Sequence, residues 1–165
     1  MDEIIAKTYM DSPLGPLELT ATEAGIRSVR FIDYPTYEIR PDHPHLLSCI
    51  EELEAYFAGK RTHFTVFLDL AGTPFQQRVW RALREIPLGT THSYLEVAKA
   101  IQAPEAVRAV GSACARNQHW LLVPCHRVIG SDGKLTGYAA GLQRKRWLLH
   151  HEQGMLYGQQ TRLFE

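Results

Sequence analysis

The sequence predicts an α+β protein: a small N-terminal α/β domain with an antiparallel sheet, followed by a mostly helical C-terminal domain that contains a helix-turn-helix. Three observations carry this prediction. Apolar and polar residues alternate with period two in the first third, the pattern of half-buried strands. Two capping boxes, Thr73-Pro74-Phe75-Gln76 and Ser93-Tyr94-Leu95-Glu96, open helices further on. A break after Ala71, at Gly72, precedes the first of them, so domains of residues 1–71 and 72–165 are expected.

Residues 4–9 form the first candidate strand, and Ser12, Pro13, Gly15 and Pro16 make the turn that follows. Leu17, Leu19 and Ala21 alternate with polar neighbours, and Gly25 breaks the chain before a third strand at 26–31. Residues 34–45 are rich in proline and polar side chains and read as a loop. Leu46, Ile50, Leu53 and Phe57 repeat at helical spacing and Gly59 stops the helix. Phe64, Val66, Leu68 and Leu70 alternate again, which predicts one more strand. His43, His45 and Cys49 cluster in sequence, but their spacing matches no standard metal site and a fourth ligand is missing.

Thr73 caps a helix whose Phe75, Val79, Leu83 and Ile86 share one face, and Pro87 and Gly89 end it. Ser93 starts a short helix through Val97, Ala98 and Ile101, and Pro104 and Glu105 start a third that runs to about Arg116. Two short helices joined by a tight turn fit a helix-turn-helix or plain helix packing. The second is built from Ala106, Ala109, Gly111, Ser112, Ala113 and Ala115, small side chains that permit close approach to a groove or another helix, with Arg108 as its long basic residue. A glycine-rich stretch at 135–141 follows, around Tyr138, and a last helix runs from Leu142 to about Glu152. Leu148, Leu149 and Glu152 share a face of that helix, and Arg144, Lys145 and Arg146 face a phosphate or solvent.

Composition is that of a globular chain, 45% hydrophobic and 22% charged. An acidic start with no long apolar segment after it speaks against a signal peptide or membrane span. Cys49, Cys114 and Cys125 are odd in number with no CxxC pair, so a reducing cytoplasm fits best. Residues 1–70 carry 6 Lys and Arg against 12 Asp and Glu, and residues 71–165 carry 12 against 6. That asymmetry fits a basic half that meets a polyanion, or two solvated faces.

The chemistry concentrates at Val123-Pro124-Cys125-His126-Arg127. Pro124 fixes its own φ and biases Val123 to an extended conformation, so the chain is stiff where it reaches Cys125. A cysteine acts through its thiolate and needs a base or a positive neighbour, which His126 and Arg127 can supply. The other reading is a buried cysteine beside a surface histidine. Glu152, on an apolar helix face, needs a partner; with His126 it would complete a nucleophile–base–orienter arrangement, or it is an exposed helix-end charge.

These residues together resemble the O6-alkylguanine-DNA alkyltransferases. The likeness runs through Thr73-Pro74-Phe75-Gln76-Gln77-Arg78-Val79-Trp80, Ser93-Tyr94, Arg108-Ala109-Val110-Gly111, Asn117, the Pro124-Cys125-His126-Arg127 core, Gly137-Tyr138 and Trp147-Leu148-Leu149-His150-His151-Glu152. It extends to Ser-Pro-Leu-Gly-Pro-Leu near the start and to Tyr56-Phe57-Ala58-Gly59. The resemblance implies direct-reversal repair: Cys125 takes the alkyl group from O6 of guanine, or O4 of thymine, irreversibly, one turnover per molecule and with no cofactor or metal. It implies that His126 acts as base through a water, that Glu152 holds the imidazole, and that Tyr94 donates to the guanine ring nitrogen. Asn117 would tie the helix-turn-helix to the active-site strand. Backbone groups at Val123 and Cys125 would read the exocyclic amine, and those near Ala139 the O6 position, in a pocket walled by Tyr138. Arg108 would replace the extruded nucleotide, with Ala106, Ala109, Ser112 and Tyr94 along a minor-groove interface to double-stranded DNA, bound by a monomer with no membrane association. The chain departs from the commoner pattern at Gln118, Ala139 and Ala140, and lacks the zinc ligands of some relatives. Cys114 reads as a structural small side chain. Two other classes are a helix-turn-helix module that senses damage without chemistry and a cysteine hydrolase, which would need turnover.

Overall fold

The computed structural model describes residues 3–163, the side chains of 158–163 excepted. The chain divides into two compact units, one of residues 1–71 with 118–122 and one of residues 72–117 with 123–165.

In the first unit β1 (Ala6–Met10), β2 (Leu17–Thr22) and β3 (Gly25–Phe31) form an antiparallel meander in the order β1-β2-β3. Leu17, Leu19 and Ala21 alternate inward along β2 and are fully buried with Ala6, Ile26 and Val29. Helix α1 (Pro44–Phe57) packs across all three strands. Its Leu46, Cys49, Leu53 and Tyr56 fall at helical intervals and close the core. His43 serves as its N-cap, accepting from the His45 amide through Nδ1 (3.2 Å), and Cys49 is buried. Among the described residues no three His, Cys, Asp or Glu side chains come together in a way that could hold a metal ion.

The strand expected at 64–70 is replaced by a single parallel bridge between Leu68 and Ile26. Only Val66 of the alternating set is buried. The Ile26 amide donates to the Phe67 carbonyl (2.8 Å) and the Asp69 amide to the Ile26 carbonyl (2.8 Å), so the contact is made but not propagated. Gly25 sits so close that a Cβ there would lie 2.4 Å from the Phe67 oxygen, which explains the glycine. Buried Glu52 pins the 61–66 loop to α1, accepting from the Thr65 amide (2.8 Å) and hydroxyl (2.5 Å).

Residues 118–122 join this sheet from far along the chain. The Val29 amide donates to the Gln118 carbonyl (2.9 Å) and the Trp120 amide to the Val29 carbonyl (3.0 Å), a parallel bridge beside β3. Buried His119 bonds the Ile26 carbonyl (2.7 Å). Leu121 holds a left-handed φ of 76°, a strain of about 1–3 kcal/mol that a locked-in side chain can sustain.

The second unit begins with α2 (Pro74–Arg84), whose capping box at Thr73 and Gln76 forms as the sequence predicts. Val79, Trp80, Leu83 and Ile86 are buried, and the Trp80 indole donates to the Ala113 carbonyl (2.9 Å). A two-residue strand β4 (His92–Ser93) leads into α3 (Tyr94–Ala100), capped by Ser93 and Glu96. Helix α4 (Val107–Ala115) completes the helix-turn-helix; it starts later than Pro104, because residues 103–106 form a turn closed by the Ala106 amide on the Ala103 carbonyl. A 3-10 turn at Cys125–Arg127 runs into β5 (Val128–Ile129), which pairs in parallel with β4. Helix α5 (Leu142–Leu163) continues well past Glu152, since no proline interrupts it and Gly154 fits without strain. No described helix is long and apolar enough to cross a membrane.

Candidate active site

Pro124 adopts φ −80°, ψ 65°, the centre of an inverse γ-turn closed by the Cys125 amide on the Val123 carbonyl (2.8 Å). The turn swings Cys125 out of the apolar run and into the short 3-10 helix. Asn117, buried just past the end of α4, reaches the same place: its Nδ2 donates to the Val123 carbonyl (2.9 Å) and to Cys125 Sγ (3.2 Å). One amide therefore holds both the turn and the sulfur. With two donors on it, the Val123 oxygen has both lone pairs engaged. Val123 itself is fully buried and its carbonyl builds the turn.

Cys125 opens into a cavity of about 180 Å³. Tyr94 from the start of α3 and Gly111, Cys114 and Ala115 from α4 line one side. Gly137, Tyr138 and Ala139 line the other, so the glycine-rich stretch is a wall. Gly111 lies against the Tyr94 ring, and a Cβ there would come within 3.9 Å of it. Arg108, Ala109 and Ser112 are exposed on α4 and Ala106 is half-buried just before it.

Behind the cysteine, His126 and Glu152 are both fully buried and paired, Nε2 to Oε2, at 2.7 Å. The imidazole's Nδ1 is buried, with no hydrogen-bond partner among the described residues. The Tyr138 ring meets the imidazole edge-on at 6.5 Å. Arg127, which the sequence marks only as a positive neighbour of Cys125, turns out to be the second partner of Glu152. Its Nε donates to Oε1 (2.8 Å), its Nη2 to Oε2 (3.0 Å) and its Nη1 to the Ile86 carbonyl (2.6 Å). Lys145 faces neither phosphate nor solvent: it is fully buried, donating to the Val128 (2.6 Å) and Thr136 (2.7 Å) carbonyls, and so ties the pocket wall to β5. A helical repeat that puts Leu148, Glu152 and Lys145 on one face was the available signal.

Burial pushes the Cys125 thiol up to about 11, against the opposing pull of the Asn117 donor and the Lys145 charge. Burial also lowers His126, outweighing Glu152, so the imidazole is neutral. Burial alone would raise the Glu152 carboxyl, but His126 and Arg127 outweigh it and hold the group well below the usual carboxylate range. Cys114 is pushed up to about 12, and the Tyr94 and Tyr138 phenols are raised, in each case chiefly by burial.

These shifts set a pH window for stability. The unfolded chain takes up a proton at histidine near pH 6.5 that folded His126 refuses, and at glutamate near pH 4.3 while folded Glu152 stays ionised. Stability therefore falls as pH drops below about 6.5. Unfolded cysteines ionise near pH 8.5 while Cys125 keeps its proton until about 11, so stability falls again above about pH 8.5. Scanning calorimetry across pH is expected to place the highest Tm between about 6.5 and 8.5; a Tm still rising beyond pH 9 would contradict the buried, protonated thiols.

Fold and site together define a protein with a helix-turn-helix and, beside it, a small cavity into which a turn-held buried thiol, Cys125, opens. Residues 74–154 match the family model described as 6-O-methylguanine DNA methyltransferase, DNA binding domain, and residues 5–70 match that family's ribonuclease-like domain. The chain is 50% identical over 149 residues to the methylated-DNA–protein-cysteine methyltransferase of Mycobacterium tuberculosis, covering 87% of this chain and 90% of the relative. It is 45% identical to the protein of that name from Methanosarcina barkeri over 89% of this chain and 96% of the relative. The crystal structure of the M. tuberculosis O6-methylguanine methyltransferase superposes with a TM-score of 0.79 at 46% identity, over 90% of this chain and 93% of that one. That of M. tuberculosis OGT in complex with DNA gives 0.79 at 45%, over 89% and 92%. The chain belongs to the 6-O-methylguanine DNA methyltransferase family.

Proposed function

We propose that the chain repairs alkylated DNA by direct reversal, moving the alkyl group from O6 of guanine, and from O4 of thymine, to Cys125. The Cys125 sulfur attacks the alkyl carbon, the carbon–oxygen bond breaks, and the thiol proton leaves through a water to His126 Nδ1, the nitrogen turned away from Glu152. The ring nitrogen on which charge develops takes a proton from Tyr94, the imidazolium proton restores the phenol through solvent, and the base leaves as neutral guanine or thymine. The product thioether has no easy hydrolytic exit, so each molecule acts once. Arg108 and the small α4 residues Ala106, Ala109 and Ser112 meet the minor groove of double-stranded DNA while the damaged base turns out of the stack, the protein acting as a monomer in the cytoplasm. Ala139 lies at the O6 side of the pocket and Tyr138 along its wall.

The observation that carries this reading is the Cys125 sulfur, held by Asn117 at 3.2 Å and opening into a cavity shared with Tyr94. At about 180 Å³ that cavity suits one planar ring system and is smaller than ordinary ligand pockets of roughly 300–1,000 Å³. The close relatives named for this activity support the same assignment. Intact-mass measurement after mixing with duplexes bearing O6-methyl-, ethyl- or benzylguanine is the test. One methyl group per molecule, on the Cys125 peptide, is expected with the first duplex, and release without uptake by the protein would point to a hydrolase instead.

A further inference from the structure

We propose that Cys114 is a resolving thiol for Cys125: a hydroperoxide that oxidises the acceptor cysteine is answered by an internal disulfide instead of irreversible loss. This rests on Cys125 being the reactive thiol, as proposed above.

Two cysteines line the one small cavity, from different elements: Cys125 from the 3-10 turn and Cys114 from the last turn of α4. Asn117 connects them. Its backbone amide donates to the Cys114 carbonyl (3.2 Å) while its side chain donates to Cys125 Sγ (3.2 Å). Both are unpaired and nearly closed off from solvent, at 8% and 6% exposure, so only a small solute entering the cavity reaches either sulfur. Burial keeps both thiols protonated, and the buried ammonium of Lys145 opposes it at each. The third cysteine, Cys49, lies in the core of the other unit and takes no part.

The chemistry balances in two steps. The Cys125 thiol and a hydroperoxide give the sulfenic acid and an alcohol, or water when the oxidant is hydrogen peroxide. The Cys114 sulfur then attacks the sulfenic sulfur, hydroxide leaves and takes up the Cys114 proton, and a disulfide and water result. A second peroxide must enter the cavity to carry Cys125 on to the sulfinic acid, whereas Cys114 is already inside, and confinement favours the intramolecular step. A cellular thiol then returns both cysteines. For a protein that spends one sulfur per lesion, a sulfur saved from oxidation is a repair event saved.

The full chain is treated with a small molar excess of hydrogen peroxide, then read by intact mass, by peptide mapping and by methyl uptake from an O6-methylguanine duplex before oxidation, after it, and after dithiothreitol. Wild type is expected to lose two hydrogens, to yield a Cys114–Cys125 linked peptide with Cys49 unlinked, and to regain uptake on reduction. Cys114→Ala and Cys114→Val, each compared with its own unoxidised activity, are expected to gain two oxygens at Cys125 and to recover at least about fivefold less. A wild type that lacks the linked peptide, whether left unoxidised or driven to the sulfinic acid, overturns the proposal, as does equal recovery in the Cys114 variants. Failure of the unoxidised protein to take up methyl would instead overturn the alkyl-acceptor reading, so the two outcomes are separate.

Discussion

Glu152→Gln is expected to cost about 3–5 kcal/mol of folding stability and to slow alkyl uptake roughly a hundredfold or more. The carboxylate carries the Arg127 fork and the His126 imidazole at once, and all three side chains are buried. An amide of the same shape leaves the guanidinium without its counter-ion and gives the imidazole no anion to face when it takes up a proton. Breaking one side of such a pair costs far more than replacing both sides by apolar groups. The double variant Glu152→Leu with Arg127→Met should therefore regain much of the lost stability by urea denaturation and none of the lost uptake. If the double variant recovered uptake along with stability, the carboxylate would matter only as a structural plug and its part in proton transfer would have to be abandoned.

Cys125→Ala is expected to abolish uptake altogether while leaving the fold and DNA association in place. Asn117 Nδ2 loses one of its two acceptors but keeps the Val123 carbonyl, so the γ-turn persists, and stability should change by no more than about 1–2 kcal/mol. The smaller side chain also widens the pocket where a damaged base would sit. A gel-shift assay beside a label-transfer assay separates the two properties: a stable complex with O6-methylguanine duplex and no transferred label is the expected pair of results. Label appearing on the alanine variant, on Cys114 or elsewhere, would place the acceptor wrongly.

The parts of this molecule written in local pattern were legible in the sequence. The meander follows from alternation along residues 4–31, and α2 and α3 from capping boxes that close as spelled, since a cap is decided by residues three apart. The stretch at 64–70 alternates equally well yet forms only one bridge, because pairing depends on a distant neighbour, met only where Gly25 lets Phe67 come close. The pairing of His126 with Glu152 was readable from an inward-facing carboxylate that needed a partner. The Arg127 fork was not, since its reach to both Glu152 and Ile86 is set by tertiary placement. Lys145 was read as facing a phosphate or solvent because a lysine between two arginines looks like a basic face; its place on the Leu148 and Glu152 face was the signal that it turns inward.

The path of residues 118–122 limits how this molecule can be dissected. A fragment comprising residues 72–165 would carry every side chain assigned to the chemistry, yet five residues in its middle would have lost the strand they lie beside. Asn117 and Val123 stand at the two ends of that five-residue stretch, so fraying there would loosen the amide that grips the sulfur. The boundary near residue 71 is thus a poor place for scissors: a cut there takes β3 away from residues 118–122.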